Sequence, residues 1–405
     1  RSPSRGLGDV YKRQDLNNLP EGFHEDPFVY YSSLRQTEPV KTLPDNSVLI
    51  SSWADLNMIY RDTKNFKSDK KLSFGEKYGN TPLFEHHTTS LVFNDPPLHP
   101  RVRKIMTAAM NPKAVALMEP GLEVLIDELL NTIEDEVNLI EKFAMKIPVE
   151  VIGNLFNIPH SLRGPLRNWS LSILGALEPS PTEKQLSEGN TAVLEFKAFL
   201  KLITDERRRK PGNPDTDVLT RMIMAEESNL SETELLQNCI FILNAGHETT
   251  TNLIGNALWA LSFYPKAKEK LINNPEMLNS AIDEFLRFLS PNQFGNRETA
   301  CEVTLSGKTI PSHTNLHLCI GAANRDPLQF TQPDELIIDR TPNRHLAFAG
   351  GAHHCVGFSL AKMEARIAIS KFLNKYPNYN LSSKPLWSER IRFRGLTHLY
   401  ARLES

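Results

Sequence analysis

The segment Phe348-Ala-Gly-Gly-Ala-His-His-Cys-Val-Gly357 sets one cysteine among three glycines, just ahead of the helical pattern Leu360, Met363, Ala365, Ile367 and Ala368. Glycines let a backbone turn sharply and come close to a bulky group. A thiolate at Cys355 would gain backbone N–H donors and the positive end of the following helix. Such donors also tune any metal that the sulfur binds. The remaining cysteines, Cys239, Cys301 and Cys319, sit in apolar helix or strand contexts without flanking glycines and read as structural.

The spacing Phe348-x-x-Gly351-x-His353-x-Cys355-x-Gly357 resembles the haem-binding signature of the cytochrome P450 superfamily, with Ala349 where many members carry Gly. That resemblance implies Cys355 as the proximal thiolate and metal ligand, pushing electron density to the iron. It also implies Phe348 packed beside the ring and sulfur, and His353 bonded to a propionate of haem b. Gly351 and Gly357 complete the cofactor-binding loop.

Working back from that loop, Ser231–Tyr264 is the clearest helix. Ser231 and Glu234 make a capping-box pattern and Pro265 stops the run. Some 30 residues at 1.5 Å each give roughly 45–50 Å, enough to cross the molecule. It is apolar on most faces, and the polar patch Asn244-Ala-Gly-His-Glu-Thr-Thr-Thr251 interrupts its centre. Ala245-Gly246-His247-Glu248-Thr249 resembles the superfamily's oxygen-activation motif. Gly in a helix costs about 1 kcal/mol against Ala, so Gly246 suggests a space that must stay open. The resemblance implies that Thr249 hydrogen-bonds the oxygen being reduced and that Glu248, in place of a commoner Asp, relays protons inward.

Glu284-Phe-Leu-Arg287 puts a carboxylate and a guanidinium on one helical face. It resembles the ExxR motif, a structural ion pair supporting the cysteine loop, with Arg340 as its third member. The segment before Arg340 reads Leu336-Ile337 where the superfamily usually has Phe-Asp. Asp95-Pro-Pro-Leu-His99 with Arg103 resembles the helix at a haem edge, and Arg297 the arginine on the strand after ExxR. His99, Arg103 and Arg297 would face the propionates, because buried carboxylates need paired cations.

The resemblance spans roughly Leu19–Leu403 and implies one mainly α domain with a minor β region, over residues 15–405. Arg1–Gln14 is basic, aperiodic and Gly/Ser-bearing, and reads as a foreign or disordered tail. Val40–Ser52 reads as a hairpin around Asp45-Asn46, Trp53 as a helix start, and Lys67–Ser90 and Glu178–Glu188 as loops.

The 405 residues are 40% hydrophobic and 23% charged with a formal net charge of −2, which gives no electrostatic reason to expect nucleic acid. There is no apolar run of about 18 residues and no signal-peptide core at the N-terminus. A cytoplasmic monomer without a membrane anchor is the expectation.

The function implied is a monooxygenase: two electrons and two protons arrive, water leaves, and one oxygen atom enters the substrate. No flavin or iron–sulfur motif occurs. Electrons would therefore come from NAD(P)H through a reductase and a ferredoxin or flavodoxin, docking on Arg101, Lys104, Arg344, Lys362 and Arg366. A peroxygenase would not need the Glu248-Thr249 pair, and a haem-based sensor or carrier would not need a proton relay. Leu91, Val92, Phe93, Leu243, Asn292 and Phe294 are the expected substrate-pocket walls, mixed enough to suit a small or medium apolar molecule with a polar handle.

Overall fold

The computed structural model describes residue 16 and residues 18–404, leaving out the side chains of 226–229. The tail expected over Arg1–Gln14 lies outside the described residues.

Seven helices carry or frame the site: α1 Leu98–Ala109, α2 Lys146–Leu155, α3 Leu166–Gly175, α4 Glu183–Arg209, α5 Glu232–Phe263, α6 Leu278–Phe288 and α7 Phe358–Lys375. The longest is α5, and both halves of its capping box are formed: Ser231 N–H donates to Glu234 Oε2 (2.8 Å) and Glu234 N–H to Ser231 Oγ (3.2 Å). Arg101 on α1 clamps the same carboxylate at 3.1 and 2.5 Å, which ties the start of α5 to α1. Buried on most faces, α5 packs against α2, α3, α4, α6 and α7 and runs through the main core.

The hairpin expected over Val40–Ser52 is present as β1 (Val40–Thr42) and β2 (Val48–Ile50), paired antiparallel, and Asn46 takes the left-handed turn position. With β3 (Phe66–Lys67), β4 (Phe294–Thr299) and β5 (Asn315–Cys319) they form one sheet in the order β1-β2-β5-β4-β3. The β2–β5 pair is parallel, with Leu49 beside His317. Smaller sheets take up the remaining strands.

Two of the expected loops are shorter than their composition suggests. Residues 67–90 hold helices Lys71–Tyr78 and Pro82–Thr89. Thr81 caps the second and Pro82 fits its first turn. Tertiary packing overrides weak local propensity here: Phe74, Tyr78, His87 and Phe93 form an aromatic cluster, with Phe74 and Phe93 ring centroids 4.9 Å apart. In the other stretch α4 starts at Glu183 behind a second capping box, Thr182 with Gln185. Cys301 is exposed just after β4 rather than held in an apolar strand, while Cys239 and Cys319 are buried. Among the described residues no helix is long and apolar enough to cross a membrane.

Candidate active site

The ion pair of α6 is fully buried. Arg287 donates to both oxygens of Glu284, from Nε to Oε2 at 2.8 Å and from Nη2 to Oε1 at 2.7 Å. Glu284 also accepts from Arg340 Nε (3.0 Å), the Ile337 N–H (2.9 Å) and Asn343 Nδ2 (3.1 Å). Arg340 thus joins the pair, and the backbone N–H of Ile337, within the unusual Leu336-Ile337, binds the same carboxylate. Arg287 reaches on to the carbonyl of Asn324 (2.9 Å), and Asn324 Oδ1 accepts from Leu346 N–H (2.7 Å) at the head of the cysteine loop. Both charges are hydrogen-bonded on every side, the condition under which a buried pair holds its geometry.

The loop itself turns through two left-handed residues, Ala349 (φ 56°) and Gly351 (φ 63°). A Cβ at Gly351 would lie 2.1 Å from the carbonyl oxygen of Tyr60, so only glycine allows that approach. Cys355 N–H donates to Phe348 O (3.0 Å) and closes the turn. Burial pushes the Cys355 thiol up, while the Gly357 N–H and the Arg103 guanidinium pull it back toward the thiolate.

Cys355, Phe348, His353 and Gly357 line a cavity of about 330 Å³, predominantly apolar, together with Arg103, Arg297, Ala245, Gly246 and Thr249. Gly351 stands behind this surface, against the backbone of Tyr60. His99 is buried beneath it, its ring 3.9 Å from that of His353, and among the described residues its Nε2 has no partner. Burial, followed by neighbouring cations, drives His99 down to about 4 and His353 to about 2, so both are neutral N–H donors.

Arg103 donates to His354 O (2.7 Å) and Arg297 to Asn296 O (2.7 Å), and among the described residues neither has a carboxylate partner. Two guanidiniums and two imidazoles at one side of an apolar cavity call for carboxylates from a bound molecule. Among the described residues no three His, Cys, Asp or Glu side chains group to hold a metal. Iron at Cys355 would therefore need its other ligands from a ring, and a haem with its two propionates fits the donors present.

The pocket walls are partly as expected. Leu91, Val92, Phe93 and Asn292 line the cavity, whereas Leu243 and Phe294 do not. On α5 the cavity stripe is Phe241, Ile242, Ala245, Gly246, Thr249 and Leu253; Leu243 falls off that face and is fully buried. On β4 the cavity is lined by Gly295, Asn296 and Arg297, while Phe294 packs against Tyr31, centroids 6.1 Å apart. Gly246 also has a packing reason beyond open space, since a Cβ there would meet Ile152 Cδ1 of α2 at 2.6 Å. Thr249 Oγ1 donates to Ala245 O (2.8 Å).

Glu248 faces the other way, into a second cavity of about 230 Å³ lined also by Arg167, His247, Thr251 and Arg390. Burial lifts its carboxyl to about 7 against the pull of Arg390. Several cavity residues escape a reading of motifs: His86, His87, Ile152, Met106, Arg392 and Phe393. The alternation Arg390-Ile-Arg392-Phe-Arg394, which has the period of an extended segment, is the one sequence signal for Arg392. Glu364 on α7 also lines the cavity, with Oε2 unpartnered and the carboxyl raised by burial to about 8.

The family model for Cytochrome P450 matches residues 178–386. A biotin biosynthesis cytochrome P450 of Bacillus subtilis is 31% identical over 389 residues, 93% of this chain and 96% of that protein. The 6-deoxyerythronolide B hydroxylase of Saccharopolyspora erythraea is 29% identical over 400 residues, 95% of this chain and 98% of that protein. The crystal structure of P450BioI with a hexadec-9Z-enoic acid ligated acyl carrier protein superposes with a TM-score of 0.90 at 30% identity, covering 95% of this chain and all of that one. CYP109E1 from Bacillus megaterium with testosterone superposes at 0.87 with 29% identity, over 96% and 100% of the two chains. Likeness over nearly the full length, together with a lone cavity-facing cysteine and a buried ExxR pair, places this chain in the cytochrome P450 family, the haem-thiolate monooxygenases.

Proposed function

We propose that Cys355 is the thiolate ligand of the haem iron and that the substrate occupies the cavity it shares with Ala245, Gly246 and Thr249. Cys355 lining that cavity is the observation that carries the reading. Thiolate-bound haem b supplies reductive activation of dioxygen and transfer of one oxygen atom to the substrate. The overall balance is substrate, dioxygen, two electrons and two protons giving oxygenated substrate and water.

The chain's own residues supply orientation and protons. Arg103, Arg297, His99 and His353 hold the propionates. Phe348 packs at the sulfur side, while Leu91, Val92, Phe93 and Asn292 shape the substrate space. Glu248 and Thr249 are neighbours on α5 that face different cavities. A carboxyl titrating at about 7 is poised both to take a proton and to release one at working pH. It takes protons from the Arg167–Arg390 side, and Thr249 holds the hydrogen bond on the substrate side.

Electrons come from NAD(P)H through a reductase and a ferredoxin or flavodoxin, and in this reading the protein works as a cytoplasmic monomer. A fatty acyl group in one relative and testosterone in another support a small or medium apolar substrate. The ferrous–CO complex tests the ligand. Thiolate ligation gives the strongly red-shifted Soret band, and an unshifted, imidazole-like band in undenatured protein removes Cys355 from the iron.

A further inference from the structure

We propose that the cavity takes a substrate with an apolar body and one carboxylate, and that the Arg392 guanidinium binds that carboxylate. The inference rests on the monooxygenase reading of the same cavity and adds its substrate class.

Arg390, Arg392 and Arg394 alternate along one extended segment, and the outer two point their guanidiniums at protein acceptors, although the buried Nε of Arg394 has none among the described residues. Arg390 pairs with Glu248 at 2.5 Å, and Arg394 donates to the carbonyls of His24 and Glu25, both at 2.8 Å. Arg392 lines the cavity instead, and among the described residues its buried Nε–H has no acceptor. Its main chain is fixed on both sides: its carbonyl accepts from Gln293 N–H (2.8 Å) and its N–H donates to Glu178 Oε2 (3.2 Å). The main chain that carries the guanidinium is therefore anchored beside the cavity.

Glu178 is the carboxylate that acts most strongly on Arg392, but it spends Oε2 on the backbone N–H groups of Ile391 and Arg392, and its Oε1 has no partner among the described residues. Lys77 lies close by, its Nζ donating to the Glu178 carbonyl at 2.9 Å, and Lys70 also acts on this group, so Arg392 stands among other cations. Two neutral polar groups line the same cavity without partners among the described residues, Tyr60 Oη and His87 Nε2. A guanidinium binds a carboxylate bidentately and in a fixed plane. The imidazoles of His99 and His353 feel Arg103 and Arg297 but not Arg392, which acts on Glu178, Tyr78 and Tyr60; Tyr60, with Arg297 5.2 Å from its ring, is where the two groups meet. The rest of the cavity is predominantly apolar and would hold the hydrocarbon.

The test titrates haem-loaded protein with straight-chain acids of ten to sixteen carbons and with their primary amides. It reads the low-to-high spin Soret shift, with calorimetry as the second readout. For at least one length the acid binds roughly tenfold or more tighter than its amide, the value of a charge-assisted hydrogen bond. Arg392→Gln brings that acid to the affinity of the amide without changing the amide, and Arg392→Lys restores part of the difference. Acid and amide binding alike at every length, the result expected if a water bridge to Glu178 satisfied Arg392, overturns the proposal without needing any variant. An Arg392→Gln protein that keeps the acid's affinity overturns it as well. Failure of the monooxygenase reading appears separately, as a ferrous–CO band without the thiolate shift.

Discussion

Arg390 reaches the Glu248 carboxylate at 2.5 Å from a segment more than a hundred residues away, while Thr249, the next residue on α5, faces the opposite cavity. The central helix thus separates the cavity at Cys355 from a second chamber that Arg167, His247 and Arg390 line, and Glu248 sits in the wall of the second. That carboxyl titrates at about 7, above its ordinary value, because burial outweighs the cation beside it.

The acid form is the one that can hand a proton inward, so turnover at saturating substrate should fall as pH rises through about 7. Glu248→Gln should lose that limb and slow turnover by about 10²-fold or more, the usual contribution of a positioned acid or base. Arg390→Gln removes the cation that favours the carboxylate, so the limb should move to higher pH. Thr249→Ala should divert reducing equivalents to peroxide, and unchanged product per NAD(P)H would remove Thr249 from the path. The sign for stability follows from the same shift. The native state keeps a proton that the unfolded chain releases, so Glu248's contribution is complete below its ordinary carboxylate range and is lost as pH rises to about 7.

Glu284→Gln tests the buried ion pair. It keeps the shape but leaves Arg287 and Arg340 sharing no negative charge, in a site where Arg287 and Glu284 are fully buried. Breaking such a pair costs about 3–5 kcal/mol. Thermal unfolding should show that loss, with reduced haem retention because Arg287 and Asn324 lead directly to Leu346 of the cysteine loop. A melting temperature unchanged from the parent would mean that the pair does not hold the loop.

Motif and period explain why so much of the site is legible in the sequence. Cys355, Glu284, Arg287 and Thr249 stand in short windows whose spacing reports a turn or a helix face. Where a side chain points within a window is harder to read. Leu243 and Phe294 lie beside true wall residues, on α5 and β4 respectively, yet neither lines the cavity. The helices at Lys71–Tyr78 and Pro82–Thr89 form because aromatic residues and buried histidines pack on distant elements, as when His86 Nδ1 sits 2.8 Å from Gln237 on α5. Local propensity holds no record of such contacts. Arg340 shows the reverse case: it reaches Glu284 at 3.0 Å despite an unusual flanking sequence, and the backbone N–H of Ile337 binds the same carboxylate.

Electron delivery should depend on separate proteins, and NAD(P)H alone should give no turnover. Of the five basic residues expected on the docking face, Arg101, Lys362 and Arg366 are engaged by Glu234, Asp283 and Glu119. Lys104 and Arg344 are exposed and carry the clearer prediction. The double charge reversal Lys104→Glu with Arg344→Glu should slow reduction by ferredoxin or flavodoxin several-fold at low salt. High ionic strength should shrink the difference, as screening removes long-range attraction. Stopped-flow reduction rates at two salt concentrations decide it, and a salt-independent effect would place the docking face elsewhere.

Ala349 and Gly351 both hold left-handed backbone in the cysteine loop, at φ 56° and 63°, yet only one of them is glycine. An L-residue in that region costs roughly 1–2 kcal/mol, part of which glycine gives back through its freer unfolded chain. Ala349→Gly should therefore stabilise the protein by about 0.5–1 kcal/mol, visible as a higher urea midpoint at unchanged slope. Gly351→Ala adds the same strain and also drives a methyl to 2.1 Å from the Tyr60 carbonyl oxygen, a backbone atom that cannot step aside cheaply. A loss of about 2–5 kcal/mol follows from strain and overpacking together, with poor haem retention. Opposite signs at two positions of one loop separate backbone conformation from mere proximity to Cys355. If both substitutions destabilise, the left-handed turn at Ala349 is relieved in solution by a different loop path.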